Sequence, residues 1–288
     1  MSEQRTRPLI DRLEEVAEQG VETSCDPDQR DTDFIRTILP GLRTWLRWFD
    51  ASVEGFEHLP VTGPMLIVGN HSGGVHMPDY WAFLSEWIRQ RGVDAPLHSL
   101  GFDLVFSIPG AGTLARKMGT LPASHEMADE LLDRGATVLV YPGGDADDFR
   151  PWTERHRVDL HGHTGFVRLA LRHGVPVVPM VSHGSHDAII VLARGDELAR
   201  TLGLDRLRIG VMPVVLGPLG LLTPPMPAKV VTRICEPFDW SDLGPEAAED
   251  DEVVRHCYEE VLGRMQACVD DLVAEVPHPV RTRIATAL

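Results

Sequence analysis

The 288 residues are enough for one large α/β domain or two small ones. A formal charge of −16 excludes the basic face that a nucleic-acid partner needs and opposes general adsorption to anionic lipid. Four scattered cysteines, Cys25, Cys235, Cys257 and Cys268, without a C-x-x-C pair, argue for free thiols in a reducing setting. The N-terminus lacks the apolar core of a signal peptide, and no apolar run reaches the roughly 18 residues of a membrane span. The expectation is a cytoplasmic chain.

Residues 1–31 read as a polar arm in which Leu9, Ile10, Leu13, Val16 and Ala17 allow one short amphipathic helix. Over 32–50, Ile35, Ile38, Leu39, Leu42, Trp45, Leu46 and Phe49 recur at helical spacing, flanked by Arg36, Arg43 and Arg47, with Trp48 nearby. Pro40 should kink or divide this helix. Two readings stay open for it: a helix lying in a membrane interface, or one packed on the core.

From residue 51 to about 245 the pattern is α/β. Strands are predicted at 65–68, 96–100, 137–141, 176–181 and 229–235, and helices at 79–91, 124–134 and 164–173. Strands alternating with helices imply a largely parallel or mixed sheet covered on both faces, with ligands beyond the strands' carboxyl ends. Pro176 and Pro179 predict that the strand they punctuate is an edge or irregular one. The apolar, Gly- and Pro-rich stretch 209–228 is no regular helix; it covers a cleft, meets a membrane or fills core. A packed helix from about Glu249 to Glu275 dominates a C-terminal region, 246–288.

Chemistry concentrates at four places along this pattern. After the first strand come Asn70 and His71, then Ser72, Gly73 and Gly74, then His76, Pro78 and Asp79. A histidine at a strand end within reach of a carboxylate can act as a general base, the carboxylate holding one ring nitrogen as N–H. His71 with Asp79 is the candidate pair, and His76 the fallback base. In a Gly-rich context that would begin a helix, Arg116 and Lys117 are adjacent cations suited to a phosphate. The third strand ends at Tyr141-Pro142-Gly143-Gly144, and Asp145, Asp147, Asp148 and Arg150 crowd the next turn; no G-K-[ST] follows, which excludes a P-loop. After the fourth come Ser182, His183, Ser185, His186 and Asp187. A metal-dependent hydrolase could draw ligands from His71, His76, Asp79, His183, His186 and Asp187, but no H-E-x-x-H spacing supports it. A serine esterase lacks its G-x-S-x-G elbow.

The order of these pieces over roughly residues 50–240 resembles the glycerolipid acyltransferase family, also called PlsC-like or lysophospholipid acyltransferases. Asn70-His71 with Asp79 is similar to that family's first motif, Arg116-Lys117-Met118-Gly119 stands for its second, Tyr141-Pro142-Gly143-Gly144 for its third, and Val175-Pro176-Val177-Val178-Pro179 for its fourth. The P-G-G form, with Gly217-Pro218-Leu219-Gly220 and the stretch from Pro224 to Lys229, resembles the branch that includes diacylglycerol acyltransferase-like proteins. Two features depart from the family. Seven residues separate His71 from Asp79 where the family has four, and Gly144 occupies the place of the third motif's glutamate, leaving Asp145 or Arg150 to stand in.

The resemblance implies a glycerol-phosphate acyltransferase-like α/β domain preceded by an amphipathic helix. It implies transfer of a fatty acyl group from an acyl thioester, on coenzyme A or acyl carrier protein, to a hydroxyl of a glycerolipid or lysophospholipid. His71 would be the base and Asp79 its partner, with no metal and no bound cofactor. Arg116, Lys117, Gly143, Gly144, Asp145 and Arg150 would bind substrate. The chain would work peripherally at the inner face of a membrane, without a nucleic-acid partner, and the expectation is that the helix 32–50 docks as an interfacial helix with Trp45, Trp48 and Phe49 at the headgroup boundary. A non-catalytic lipid-binding protein of the same fold is the remaining alternative.

Overall fold

The computed structural model describes residues 26–287, apart from 103, 104, 107, 109 and 204–209. Cys25 and nearly all of the expected arm lie outside the described residues. The first helix, α1 (Thr32–Leu46), starts where the Asp31 carboxylate accepts the Phe34 N–H at 2.9 Å. Pro40 lies inside α1 without dividing it. Ile35 and Phe49 are fully buried, so the helix and the turn after it pack on the core along one side.

Seven strands form the main sheet: β1 (Ser52–Glu54), β2 (Met65–Gly69), β3 (Leu97–Gly101), β4 (Thr120–Pro122), β5 (Thr137–Val140), β6 (Val177–His183) and β9 (Val231–Ile234). Their order is β1-β9-β6-β2-β5-β3-β4. All neighbours are parallel except β6 and β9, so the sheet is mixed and mostly parallel, as the alternating pattern predicts. A separate antiparallel pair joins β7 (Val191–Ala193) to β8 (Val214–Val215).

The residue alternation of β2 sorts the two faces. Leu66 and Val68 join a cluster containing Leu131 of α4 (His125–Asp133), Val167 of α6 (Gly165–His173) and Met265 of α9 (Asp251–Glu275). Met65 and Ile67 join another, with Ile35 of α1 and Phe83 and Trp87 of α2 (Pro78–Arg91). Each fully buried large apolar side chain adds about 1.5–3 kcal/mol, so β2 is clamped from both faces and its end is a rigid platform.

Pro179 does not make β6 an edge strand. β6 lies between β2 and β9, with Val68 opposite Pro179 on one side. On the other side the register slips by one residue between the Val177–Phe238 bridge and the Met180–Ile234 pair. Pro179 sits at that irregularity, where its missing N–H interrupts no regular ladder. Among the described residues no helix is long and apolar enough to cross a membrane.

Candidate active site

β2 ends at Gly69 and delivers Asn70 and His71 to the carboxyl side of the sheet. Asn70 clasps the neighbouring strand end: its Oδ1 accepts the Ser182 N–H at 2.7 Å and its Nδ2 donates to the Ser182 carbonyl at 3.2 Å. The His71 ring stacks on Tyr141, centroids 4.5 Å apart. Gly69 makes room for that ring, because a Cβ there would come within 2.4 Å of Tyr141. The loop then turns at Gly73 (φ +94°), where a Cβ would meet the Pro78 ring at 2.6 Å. Met77 takes φ +42°, an uncommon conformation for a bulky residue, just before α2 opens with Pro78 and Asp79.

Two buried carboxylates accompany His71. Asp148 Oδ1 lies 3.8 Å from Nδ1. Asp79 is linked through Ser72, whose N–H donates to His71 Nδ1 at 3.2 Å and whose hydroxyl donates to Asp79 Oδ2 at 3.4 Å. The direct His71–Asp79 hydrogen bond expected from the sequence is therefore replaced by this relay. The long Gly-rich insertion turns Ser72 inward between the two residues. Burial pushes Asp79 up to about 7 and raises Asp148 as well; the nearby imidazole pulls both back. Burial likewise holds the Tyr141 phenol well above its ordinary range. The His71 side chain keeps 18% exposure, whereas Asp79 and Asp148 are sealed, so the histidine is the reachable member.

The loop is gripped from the side by the acidic turn α5 (Gly144–Asp148). Asp147 Oδ2 accepts the His71 N–H at 2.5 Å and Asp148 Oδ1 accepts the Gly74 N–H at 2.8 Å. Asp147, fully buried, also pairs with the guanidinium of buried Arg150. Burial lowers that guanidinium to about 10, and buried His186 nearby is held well below the usual histidine range, first by desolvation and then by Arg150. Three backbone donors of the loop, those of His71, Ser72 and Gly74, are thus already engaged.

The other expected site residues are dispersed. Gly143 packs directly against the Asp147 side chain. Gly144 opens α5, and Asp145 turns away to accept the Gly210 N–H at 3.0 Å. His76 is occupied by the Thr223 carbonyl, 2.9 Å from Nε2. Arg116 and Lys117 close the helix α3 (Ala111–Met118) rather than begin one. They enter the sheet ahead of β4, on the amino side of a strand parallel to its neighbour and three places from β2. Lys117 pairs with Asp31 at 2.9 Å and lies over the Phe34 ring, and Arg116 donates to Thr113 at 3.1 Å.

The residues that follow β4 on the carboxyl side are instead Ala123, Ser124 and His125. With Tyr141, Phe166 and Leu169 they line a cavity of about 300 Å³. The first turns of α4 and α6 both border it. Tyr141 connects this cavity to His71. Ser72, Tyr141, Asp147 and Asp148 are the site residues that sequence reasoning did not nominate. The crowding of the two aspartates was visible, but which of them reach back to the histidine depends on the geometry of a five-residue turn.

Residues 50–183 match the family model described as Acyltransferase. This domain belongs to the acyltransferase family. An uncharacterized protein of Mycobacterium tuberculosis is 31% identical over 239 residues, covering 82% of this chain and 66% of its own length. The human DGAT1/2-independent enzyme synthesizing storage lipids is 25% identical over 193 residues, covering 67% of this chain and 55% of its own. Human diacylglycerol O-acyltransferase 2 is 25% identical over 158 residues, with coverages of 51% and 41%. The chain thus spans less than two thirds of each relative. The crystal structure of the 1-acyl-sn-glycerophosphate acyltransferase PlsC from Thermotoga maritima aligns with a TM-score of 0.49 at 20% identity, covering 95% of this chain and 83% of that one. The acyltransferase domain contains β1, β2, α2, the α5 turn and all of β6, so His71, Asp79, Asp147 and Asp148 all fall inside it.

Proposed function

We propose that the acyltransferase domain transfers a fatty acyl group from an acyl thioester, carried on coenzyme A or acyl carrier protein, to a hydroxyl of a glycerolipid. The observation that carries this reading is the reachable imidazole of His71 set against two sealed carboxylates at the end of β2. In the tautomer that turns its Nδ1–H to Asp148 in place of the Ser72 N–H contact, His71 takes at Nε2 the proton of the acceptor hydroxyl as that oxygen attacks the thioester carbonyl. The C–O bond forms, the C–S bond breaks, and the proton passes on to the departing thiolate. Asp148 stabilises the transient imidazolium from close by, and Asp79 adds a longer-range attraction.

Buried Asp79 Oδ1 and Tyr141 Oη have no hydrogen-bond partner among the described residues, and a buried polar group left unsatisfied calls for an explanation such as a substrate contact. The cavity beside Tyr141 offers apolar walls for the acyl chain, with two helix N-termini at its margin suited to an anionic group. A phosphate contact by Arg116 would lie apart from this cavity, and one by Lys117 would have to displace Asp31.

The acceptor is a membrane component, and the apolar segment around β8 is our candidate for reaching it. Leu216, Leu219 and Leu222 are exposed there by 58%, 61% and 74%. Phe49, by contrast, is core, and Trp45 packs edge-on against it, so the aromatic end of α1 offers Trp48 alone.

The reading is tested by incubating purified protein with acyl thioesters and a panel of lysolipid and diacylglycerol acceptors, with products followed by mass spectrometry. Wild type should yield acylated acceptor and free thiol in equal amounts. His71→Ala should abolish both. Asp148→Asn should lower kcat on the order of a hundredfold with little change in KM. No product across the panel, or product that survives His71→Ala, overturns the reading and favours a lipid-binding protein or different chemistry.

A further inference from the structure

A second constellation, outside the His71 pair, joins the segment after α5 to the far end of β6. His156, His183 and Asp187 each present one donor atom, and the three donors lie within 4.8 Å of one another. His183 Nε2 is 2.9 Å from the Val276 carbonyl. A carbonyl can only accept, so that nitrogen carries the hydrogen and Nδ1 is left with its lone pair. A ring N–H given to a backbone carbonyl is the usual support for a metal-binding histidine. His156 Nε2 and Asp187 Oδ2 are buried and have no hydrogen-bond partner among the described residues. Asp187 is itself 93% sealed from solvent, its exposure being 7%. Its other oxygen, Oδ1, is 3.3 Å from Arg155 Nε, and that guanidinium stacks over Trp152. Arg155 thus holds one carboxylate oxygen, and the Trp152 indole also reaches the carboxylate.

We propose that these three residues form a zinc-type divalent metal site. Two imidazoles and one carboxylate are a donor set that Zn²⁺ takes readily, with a fourth position left for water. Bond lengths of about 2.0–2.1 Å put tetrahedral donors roughly 3.4 Å apart, so closure asks each donor to move by about 1 Å. His156 follows the 3₁₀ turn Trp152–Glu154, and its backbone carbonyl is held by Gln266 at 2.9 Å, so its approach is made by rotation of the side chain. Arg155 keeps Asp187 Oδ1 and thereby orients the carboxylate. The metal's work here is positional. It fastens residues 152–156 to β6 and to the short helix α7 (Ser185–Ala188), whose Ser185 packs behind Gly73 of the catalytic loop.

The test strips the purified chain with a chelator, removes the chelator, and titrates Zn²⁺ in competition with a chromophoric zinc indicator. Folding is checked by circular dichroism. One equivalent should bind, with an affinity at least tenfold weaker in His156→Gln and in Asp187→Asn. Binding should be unchanged in His256→Gln, an exposed histidine on α9. His156 is only partly buried, so His156→Gln decides the matter if Asp187→Asn does not fold. Binding of less than a tenth of an equivalent, or one equivalent that survives His156→Gln, overturns the site.

Discussion

Burial lifts Asp79 from the ordinary aspartate value of 3.8 to about 7. Between those two values the folded chain holds a proton that the unfolded chain has released. The folded state binds more protons, so its stability falls as pH rises through this window and stays low above it. Asp79→Asn removes the penalty. We expect the variant to be as stable as wild type below about pH 4 and more stable at pH 8, by on the order of a few kcal/mol. Urea unfolding at pH 4, 6 and 8 checks the sign. A variant that loses stability at pH 8 relative to wild type would show that Asp79 is held by attraction rather than penalised by burial. The same ionisation should appear in turnover as a rising limb with an apparent pKa near 7, shared by the coupled groups and absent in Asp79→Asn. At this scale the Asn70-His71 and Asp79 pattern singled out two residues that the fold brings to one strand end. It could not name Ser72, whose backbone N–H meets His71 and whose hydroxyl meets Asp79, because that placement depends on how the Gly-rich loop folds. Nor could adjacency show that Lys117 would be drawn to Asp31.

The α5 turn is the element that makes the site rigid, and its rigidity depends on one sealed ion pair. Arg150 and Asp147 are both buried, and Asp147 also holds the His71 backbone. Removing one partner strands the other charge in the interior. Arg150→Met should therefore destabilise the chain by about 3–5 kcal/mol. The double variant Arg150→Met/Asp147→Leu should recover much of that loss, yet remain inactive, since nothing then anchors the His71 N–H. Denaturant midpoints together with turnover separate the two effects. A double variant as unstable as Arg150→Met would mean that the pair's value is not electrostatic. The long elements around this turn were legible, because α2, α4, α6 and α9 carry clear helical periods and β2, β3, β5 and β6 are short apolar runs. β1, β4, β7 and β8 were not, since two or three residues hold no period. Of the two readings that Pro179 allowed, an edge strand or an irregular one, the second holds. Proline's usual exclusion from central strands assumes a regular ladder on both sides, and here the ladder with β9 is out of step.

At the scale of the whole molecule, net charge and exposed apolar side chains bear on how the chain would meet a membrane. A chain of net charge −16 meets an anionic bilayer unfavourably except where it offers something to insert. In the proposed function the exposed leucines around β8 would be that surface; Trp48, whose indole donates to the Pro225 carbonyl at 3.0 Å, is exposed as well. Leu216→Ser/Leu219→Ser/Leu222→Ser should abolish flotation with zwitterionic vesicles and leave the fold intact. Trp48→Glu should weaken flotation only in part. High salt should matter little, because apolar insertion provides the attachment. Flotation of the triple variant at the wild-type level would remove this segment from consideration.

The pairing of β1 with β9 bears on how such a chain comes into being. Ser52 lies opposite Val231, so the first strand of the sheet waits for the last. β2, β3, β4 and β5 find one another within about the first half of the chain, whereas the β1 edge closes only once β6 and β9 exist. Such distant pairing slows folding. During synthesis it leaves β2 without its β6 neighbour, and later β6 without β9, each an open row of backbone donors and acceptors. The residues around His71 are held by β6 through Asn70 and Ser182, so the nascent chain has its histidine long before it has a site. The end of β2 is shaped only after more than a hundred further residues, up to Ser182, have been added.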